Sequence, residues 1–179
     1  MNYQVRIQKN KDFQILENNL PIIKGTRPKW YSSLISFFFN NKTYQIKKKN
    51  FWKSEYEITA SGKKVGTILT RSIKKPRGNF IQVYENNSVK NEYSMISTTK
   101  TIFGYARVFT LMNNENEVLK INYNWKKHSW RKYTEQISVD IIDIQEGSPE
   151  LSVYSLYLMR IIQQQEAAAN SGGGAMMHG

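Results

Sequence analysis

Apolar and polar residues alternate with a period of two along most of the chain, and turn-forming residues separate the alternating runs. In the clearest run, VLKINYNW, Leu119, Ile121, Tyr123 and Trp125 fall on one face and polar residues on the other. The pattern predicts about ten to twelve strands. Besides two hairpins, the strand candidates are residues 3–8, 12–17, 30–39, 43–49, 80–85, 92–98 and 133–144.

Two hairpins share one plan of strand, polar turn and strand. In SEYEITASGKKVGTILTR, Tyr56 and Ile58 precede a turn in which Gly62 adopts a positive φ without steric cost, and Val65 to Leu69 form the return strand. YARVFTLMNNENEVLKI repeats this plan around the turn NNENE. The two hairpins can be aligned with each other, which indicates a weak internal repeat of a meander unit.

Two strand candidates depart from simple alternation. In the run 133–144 the apolar face changes after Ile141, so that Ile142 and Ile144 take the opposite side, and we expect a β-bulge at this point. LISFFF at 34–39 is continuously apolar. This favours a strand that is covered on both faces over a segment that inserts into a membrane.

One segment near the end of the chain reads as a helix. Ser148 can cap it, Pro149 suits the first helical position, and Glu150 complements the positive end of the helix dipole. Only three polar residues interrupt the apolar run 151–162, so apolar side chains point in every direction around the axis. We expect a helix over about 149–169 and a disordered tail over 170–179.

A helix without a polar face has to be enclosed, because burying each of its apolar side chains is worth about 1.5–3 kcal/mol. A sheet of about twelve strands can close around it, and closure also removes exposed edges. The sequence therefore predicts one domain over residues 1–169. Its fold is a mainly β, closed antiparallel β-barrel of about 12 strands around a central hydrophobic C-terminal α-helix, with QQQEAAAN emerging from one mouth.

Two other arrangements would also bury this helix. It could pack between the two sheets of a sandwich, or against a second copy of the chain in a dimer. If the barrel is correct, we expect the helix to leave no room for a ligand in the lumen. Binding would then use the outer surface or the loops.

The composition restricts the compartment and the chemistry. The chain has no cysteine, which excludes disulfides and thiolate metal sites and fits a reducing compartment. Its N-terminus, MNYQVRIQKN, lacks the apolar run of a secretory signal. As a helix the longest apolar stretch would span about 18 Å, short of the ~30 Å bilayer core. We expect a cytoplasmic protein, with peripheral membrane association as a further option.

The net charge of +12 is unevenly distributed. Residues 1–100 hold 19 Lys and Arg against 6 Asp and Glu, whereas residues 101–179 hold 7 against 8. A basic half attracts anions such as nucleic acid, acidic lipid head groups or acidic protein surfaces. The chain is also rich in Asn and Lys, a pairing that an A/T-rich genome produces by codon bias alone, so the basicity does not by itself identify a partner.

The first hairpin and the terminal helix carry a family resemblance. FWKSEYEITASGKKVGTI (51–68) combines an aromatic–Trp start, Tyr-x-Ile, a Gly-containing turn and Val-Gly-x-Ile, and a related hairpin follows at 105–121. Over roughly residues 30–165 the chain resembles the tubby C-terminal-like superfamily, in particular its branch of phospholipid scramblases and LURP-one-related proteins. The resemblance implies a twelve-stranded barrel around a central hydrophobic C-terminal helix, and binding of phosphoinositides. The Cys-rich and Pro-rich segments and the calcium-loop pattern of scramblases are absent, so scrambling activity is not expected.

The residues give little support to an enzyme. His178 lies in the tail, and His128 lies in the basic stretch NWKKHSWRKY, where we expect it at the surface. Asp140 and Asp143 are three residues apart on a predicted strand, so they face opposite ways and cannot share a metal or a proton. We expect no catalytic residue, no metal and no cofactor. A hydrolase or isomerase that uses a cleft at the barrel mouth would need His128 buried beside a carboxylate.

Two basic clusters, YQIKKKNFWK and TRSIKKPRGN, form the candidate binding site if they converge. Such a patch, with an aromatic edge, would suit anionic phospholipid head groups or, as the alternative, nucleic-acid phosphates. A simpler interpretation is that the lysines of these clusters lie at a solvated sheet edge and only prevent another strand from pairing there. KKHSWRKY (126–133) is a second cationic–aromatic stretch. The predicted anion-binding residues are Lys47, Lys49, Lys53, Arg71, Lys74, Lys75 and Arg77.

The sequence thus predicts a non-enzymatic binding or scaffold module. Its expected partner is an anionic membrane surface or a phosphoinositide, with nucleic acid as the alternative. The sequence does not predict an oligomeric state.

Overall fold

The structure of the protein is a computed structural model. It describes residues 1–7, 12–26, 34–49, 54–70, 78–99, 106–129 and 132–172. The predicted tail beyond residue 172 lies outside the described residues, as does the first part of the predicted strand 30–39.

In the described residues, antiparallel strands close into one barrel in which each strand pairs with its neighbours in the sequence and the first strand pairs with the last. The predicted fold class is confirmed. The strands are β1 (Asn2–Ile7), β2 (Phe13–Glu17), β3 (Leu20–Thr26), β4 (Ile35–Phe39), β5 (Lys42–Lys48), β6 (Glu55–Ala60), β7 (Lys63–Leu69), β8 (Phe80–Glu85), β9 (Ser88–Thr99), β10 (Ala106–Asn113), β11 (Asn116–Ser129) and β12 (Lys132–Ile141). One helix, α1 (Pro149–Gly172), follows the barrel.

The two ends of the barrel differ in the way strands are connected. At one end, here called the turn end, even-numbered strands pass to odd-numbered ones through two-residue turns. In four of these turns both residues have positive φ, as type I′ hairpins require, and Gly62 has the predicted positive value of 81°. The four turns are Asn18–Asn19, Asn40–Asn41, Ser61–Gly62 and Asn86–Asn87.

The opposite end is called the loop end. Because consecutive strands are antiparallel, every odd-numbered strand ends there and the next even-numbered strand begins there. The helix α1 follows β12, which ends at the turn end, so α1 runs through the barrel from the turn end towards the loop end.

The enclosure of α1 confirms the central prediction. Every residue from Leu151 to Met159 is buried, and so are Ile161 and Ile162. The hydroxyl of Ser148 accepts a hydrogen bond from the amide of Leu151 at 3.1 Å, as expected of an N-cap. From Gln164 to Ala169 the helix is exposed, so QQQEAAA emerges at the loop end as predicted.

One local prediction was wrong: the expected cover on both faces of LISFFF is absent, because Phe38 lies on the outside and is 55% exposed. The strand β3 was not among the strand candidates. Directly after β12 ends at Ile141, the amides of Ile142 and Asp143 both donate to the carbonyl of Val118, so that two residues oppose one, as expected of a β-bulge at this point.

The end of the helix also differs from the prediction. The helix α1 continues to Gly172, so residues 170–172 are helical and do not belong to the predicted disordered tail. Asn and Ser are only moderately unfavourable in a last helical turn, and the run of glycines from 172 gives a stronger stop.

Candidate functional site

Positive charge is concentrated in the segments that join the strands at the loop end. These joining segments are residues 8–11, 27–33, 50–53, 71–77, 100–105 and 130–131, and the structure describes the strand ends on either side of each. Together they contain 11 of the 26 Lys and Arg residues and none of the 14 Asp and Glu residues. The described residues, with all 14 acidic side chains, carry almost no net charge.

The tryptophans follow the same distribution. Of the 4 tryptophans, Trp30, Trp52 and Trp130 belong to joining segments. Trp125 lies in the loop-end half of β11, where it is 44% exposed and packs edge-on against Tyr123 with ring centroids 6.3 Å apart. Cationic and indole residues are therefore concentrated in the segments whose flanking strand ends lie at the loop end.

Two of the predicted anion-binding residues lie in the described part of the chain. Lys47 and Lys49 are exposed at the loop-end terminus of β5. The ammonium of Lys49 contacts a carboxylate oxygen of Glu55 at 3.1 Å, and Lys47 lies directly opposite Glu57 on β6. Acidic neighbours thus partly neutralise these two lysines.

The other five predicted anion-binding residues lie in joining segments, outside the described residues. The antiparallel order places the strand ends on either side of these segments at the loop end. Their side-chain convergence stays a prediction. These residues are Lys53, Arg71, Lys74, Lys75 and Arg77.

The barrel interior is not completely filled, and the expectation that the helix leaves no room for a ligand is wrong. A cavity of about 400 Å³ separates one face of α1 from the wall formed by β12, β1, β2, β4 and β6. The backbone of α1 lies closest to β11, a strand that does not line the cavity.

Most of the cavity lining is apolar, and its polar residues lie towards the loop end. On the wall side it is lined by Val5, Ile7, Phe13, Ile35, Tyr56, Glu135 and Ile137. On the helix side it is lined by Val153, Leu156, Tyr157, Met159, Arg160, Ile161 and Gln164. The rings of Tyr56 and Tyr157 meet edge-on across it, with centroids 5.4 Å apart.

An ion pair forms the polar edge of this cavity. The guanidinium of Arg160 donates to Glu135 through both terminal nitrogens, at 3.0 Å for the Nη1–Oε1 pair. The hydroxyl of Tyr123 donates to the same Oε1 at 3.0 Å. Burial favours the neutral acid, yet the hydrogen bonds and charge of Arg160, together with the Tyr123 hydroxyl, hold the pKa of Glu135 below its ordinary value. The cavity edge therefore carries a carboxylate and a guanidinium that neutralise each other.

A second ion pair fixes the helix where it leaves the barrel. Arg107 on β10 donates to both carboxylate oxygens of Glu166, at 2.5 and 3.0 Å, and to the hydroxyl of Ser97 at 3.0 Å. The hydrogen bonds that Arg107 donates to Glu166 raise the pKa of Arg107 above its ordinary value. This contact holds the emerging turn of α1 against β9 and β10.

Among the described side chains, no three His, Cys, Asp or Glu residues form a cluster that could bind a metal ion. Asp140 accepts hydrogen bonds from Asn2 and Asn122, and Asp143 accepts one from the amide of Gln145. The side chain of His128, on which the hydrolase alternative depends, lies outside the described residues, and so does His178.

No helix in the described part of the chain is both long and apolar enough to cross a bilayer. Comparisons with models of known families, with curated proteins and with solved structures find no match to this chain.

Sequence reasoning missed the cavity and the Arg160–Glu135 pair. The sequence did contain a signal, because Arg160 is the one charged residue in the otherwise apolar run 151–162. Such a residue needs a partner or access to solvent. Its partner, Glu135, could not be identified without the register of β12 against the helix.

Proposed function

We propose that the protein is a non-enzymatic binding module that docks its loop end onto an anionic phospholipid surface. The observation that carries this proposal is the segregation of charge, with 11 Lys and Arg and no Asp or Glu in the six joining segments of one barrel end. Near a charged membrane each Lys or Arg contributes about 1 kcal/mol. A surface that concentrates such residues can hold a protein at the bilayer.

The tryptophans favour a membrane over a soluble acidic protein as the partner. Indole rings are enriched at the interface between the hydrocarbon and water, where an apolar ring and a polar N–H are both accommodated. Three of the four tryptophans belong to joining segments and the fourth is exposed near the same end. The resemblance to the tubby C-terminal-like superfamily points to the same class of ligand, since it implies phosphoinositide binding around a barrel of this type.

Nucleic acid is the second candidate, because cationic and aromatic side chains on one surface also suit phosphates and stacked bases. The two candidates differ in what they predict for a competition. If lipid is the partner, an excess of single-stranded oligonucleotide leaves the protein on phosphatidylserine vesicles. If nucleic acid is the partner, the oligonucleotide removes it.

Cosedimentation with vesicles tests the proposal. The protein is expected to pellet with phosphatidylcholine vesicles only when they also contain phosphatidylserine or a phosphoinositide. Salt should release it, because the Debye length falls from about 10 Å at 0.1 M to about 3 Å at 1 M. Equal binding to neutral and acidic vesicles at low salt would overturn the proposal.

A pair of charge-reversal variants locates the binding surface. The combined changes Lys47→Glu, Lys49→Glu, Lys74→Glu and Arg77→Glu at the loop end should weaken vesicle binding by at least about 100-fold. The matched control carries the same charge change on exposed lysines of the turn end. It combines Lys42→Glu, Lys63→Glu, Lys64→Glu and Lys90→Glu.

The control should retain most of the binding if the loop end is the docking surface. Equal losses in the two variants would show that only the net charge matters, which contradicts a localised site. Circular dichroism and thermal unfolding of both variants confirm that each still folds.

A further inference from the structure

We infer that the cavity beside α1 takes one unbranched hydrocarbon chain of an amphiphile whose anionic head group stays at the loop end. The inference rests on the proposed function for the sign of the head group only. The side chains that line the cavity all belong to the described residues. Its volume of about 400 Å³ lies in the range of small-molecule pockets.

The shape of the cavity favours a long, narrow ligand. Its helix-side lining runs from Val153 to Gln164, which at 1.5 Å per residue is about 16 Å along the axis. Except for Met159, these residues recur at intervals of three and four, so they lie along one side of α1. A ligand bound there lies parallel to the helix, between one helical face and one side of the barrel wall.

The polarity of the lining changes along this length. The helix residues nearest the turn end, Val153 and Leu156, are apolar and buried, whereas Arg160 and Gln164 lie towards the loop end. Glu135 completes the polar edge. An apolar interior with a polar opening matches a hydrocarbon tail that carries one polar head group.

Two considerations decide what fills the cavity. Apolar cavities attract apolar ligands in preference to water, because water finds too few hydrogen-bonding partners in them. The Arg160–Glu135 pair is neutral overall, and the excess positive charge of the chain belongs to the joining segments, whose flanking strand ends lie at the loop end. Charge complementarity therefore selects an anionic amphiphile, either a free long-chain carboxylate or a phospholipid that inserts one acyl chain.

A chain-length series on the full-length protein tests the inference. Saturated carboxylates from hexanoate to stearate are titrated calorimetrically, each below its micelle concentration. Affinity should rise about fourfold for each added methylene, the value for transfer from water to an apolar site, and then level off when the cavity is full. Absence of binding by every carboxylate, or a rise with no plateau, would overturn it.

Two variants distinguish the cavity from the protein surface. Val5→Phe adds a ring to the wall of the cavity and should shorten the chain length at which the plateau begins. Val83→Phe is the matched control, because Val83 is also half-buried against the core but does not line the cavity. An identical plateau in Val5→Phe, Val83→Phe and wild type would place the chain elsewhere and refute the inference.

A variant that does not disturb packing covers the case in which Val5→Phe fails to fold. Gln164 is exposed at the opening, so Gln164→Glu introduces a negative charge without changing the size of the side chain. It should weaken palmitate binding about three- to tenfold and leave the uncharged hexadecanol unaffected. Equal effects on palmitate and hexadecanol, or no effect on either, would contradict the predicted position of the head group.

The results separate this inference from the proposed function. Saturable palmitate binding without binding to acidic vesicles would support the cavity ligand and refute membrane docking. Vesicle binding with no palmitate binding would do the reverse. Native mass spectrometry after incubation with phosphatidylserine vesicles identifies the source of the hydrocarbon chain. A bound phospholipid mass indicates an inserted acyl chain. If palmitate binds but no phospholipid mass is found, the ligand is a free carboxylate.

Discussion

At the scale of single residues, Arg160 shows how one polar side chain is accommodated on an apolar helix. Its stem passes the ring of Tyr123, with the guanidinium carbon 5.5 Å from the ring centroid, and its head reaches Glu135 near the loop end. The two charged side chains are 32% and 30% exposed. The pair is therefore partly solvated, and solvent screening reduces its contribution.

The first prediction concerns this ion pair. Arg160→Met should lower the free energy of unfolding by about 1–2 kcal/mol at neutral pH, because Glu135 keeps its charge without its cationic partner. The folded-state pKa of Glu135 is lowered, so the stabilisation is present above the unfolded pKa of about 4.3 and is lost as the pH falls through the folded value. Urea denaturation of wild type and variant from neutral to acidic pH measures this difference.

The control for that series is Arg6→Met, which removes an exposed arginine from β1. It should change the free energy of unfolding by less than about 0.5 kcal/mol at every pH. A wild-type advantage over Arg160→Met that stays constant down to the lowest pH would show that packing rather than charge is lost.

The second prediction concerns the turn end. Asn41 has a φ of 57° in the turn between β4 and β5. Asn41→Gly should raise the free energy of unfolding by up to about 1 kcal/mol, because glycine adopts a positive φ without strain and Asn-Gly is the preferred type I′ pair. Asn41→Ala should lower it by about 1–2 kcal/mol. Equal stabilities of the two variants would contradict the assigned turn type.

At the scale of elements, α1 is stabilised by its enclosure rather than by an amphipathic pattern. All nine residues from Leu151 to Met159 are buried, which covers the full circumference of the helix, whereas an amphipathic surface helix buries only one face. The stacked rings of Phe37 and Tyr44, 4.7 Å apart, add aromatic contact near the start of the helix. Tyr154 packs against Phe37, and burial raises the pKa of its hydroxyl well above the ordinary value.

The third prediction tests this enclosure. Leu158→Ala should lower the free energy of unfolding by about 2–5 kcal/mol, since it leaves a cavity in the core. The same substitution at Leu20, which is 68% exposed on β3, should cost less than about 0.5 kcal/mol. Urea denaturation at several protein concentrations supplies the measurement.

The concentration series also tests whether a second copy covers the helix. The unfolding midpoint should not depend on protein concentration, because the barrel of the same chain encloses α1. A midpoint that rises with concentration, together with similar effects of the two leucine substitutions, would favour the dimer alternative.

Elements that depend on local pattern were the most predictable. The 56–69 hairpin and α1 follow from strict alternation, a Gly turn and a good N-cap, and each was found within a few residues. In β3, by contrast, Pro21 and Gly25 interrupt the apolar alternation. The ring of Phe13 packs against Gly25, where an added Cβ would lie 2.2 Å from Cζ and would displace the ring, a contact between neighbouring strands that the local sequence does not show.

The candidate site was less predictable than the fold. The basic clusters around Lys47 and Lys74 were visible in the sequence, but their place at one end follows from the alternation of short and longer connections around the closed barrel. The pairs Asn18–Asn19, Asn40–Asn41 and Asn86–Asn87 carry a signal for this alternation that the sequence analysis did not use. The size of the cavity depends on the volumes of side chains that belong to strands far apart in the sequence. The alternation of apolar and polar residues gives no information about those volumes.

At the scale of the whole molecule, the protein is a barrel with two chemically different ends. The turn end has short Asn-rich turns and the acidic start of the helix, with Glu146 and Glu150 close to it. The loop end has Trp125, the opening of the cavity and the strand ends that flank the joining segments. A molecule with this polarity is expected to approach an anionic surface in one orientation.

Intrinsic tryptophan fluorescence tests the proposed orientation most directly, because all four tryptophans belong to the loop end or its adjacent strand. On phosphatidylserine vesicles we predict a blue shift of the emission and quenching by brominated acyl chains, with neither effect on phosphatidylcholine vesicles. Protein that pellets with the acidic vesicles while its emission stays unshifted and unquenched would contradict docking through the loop end.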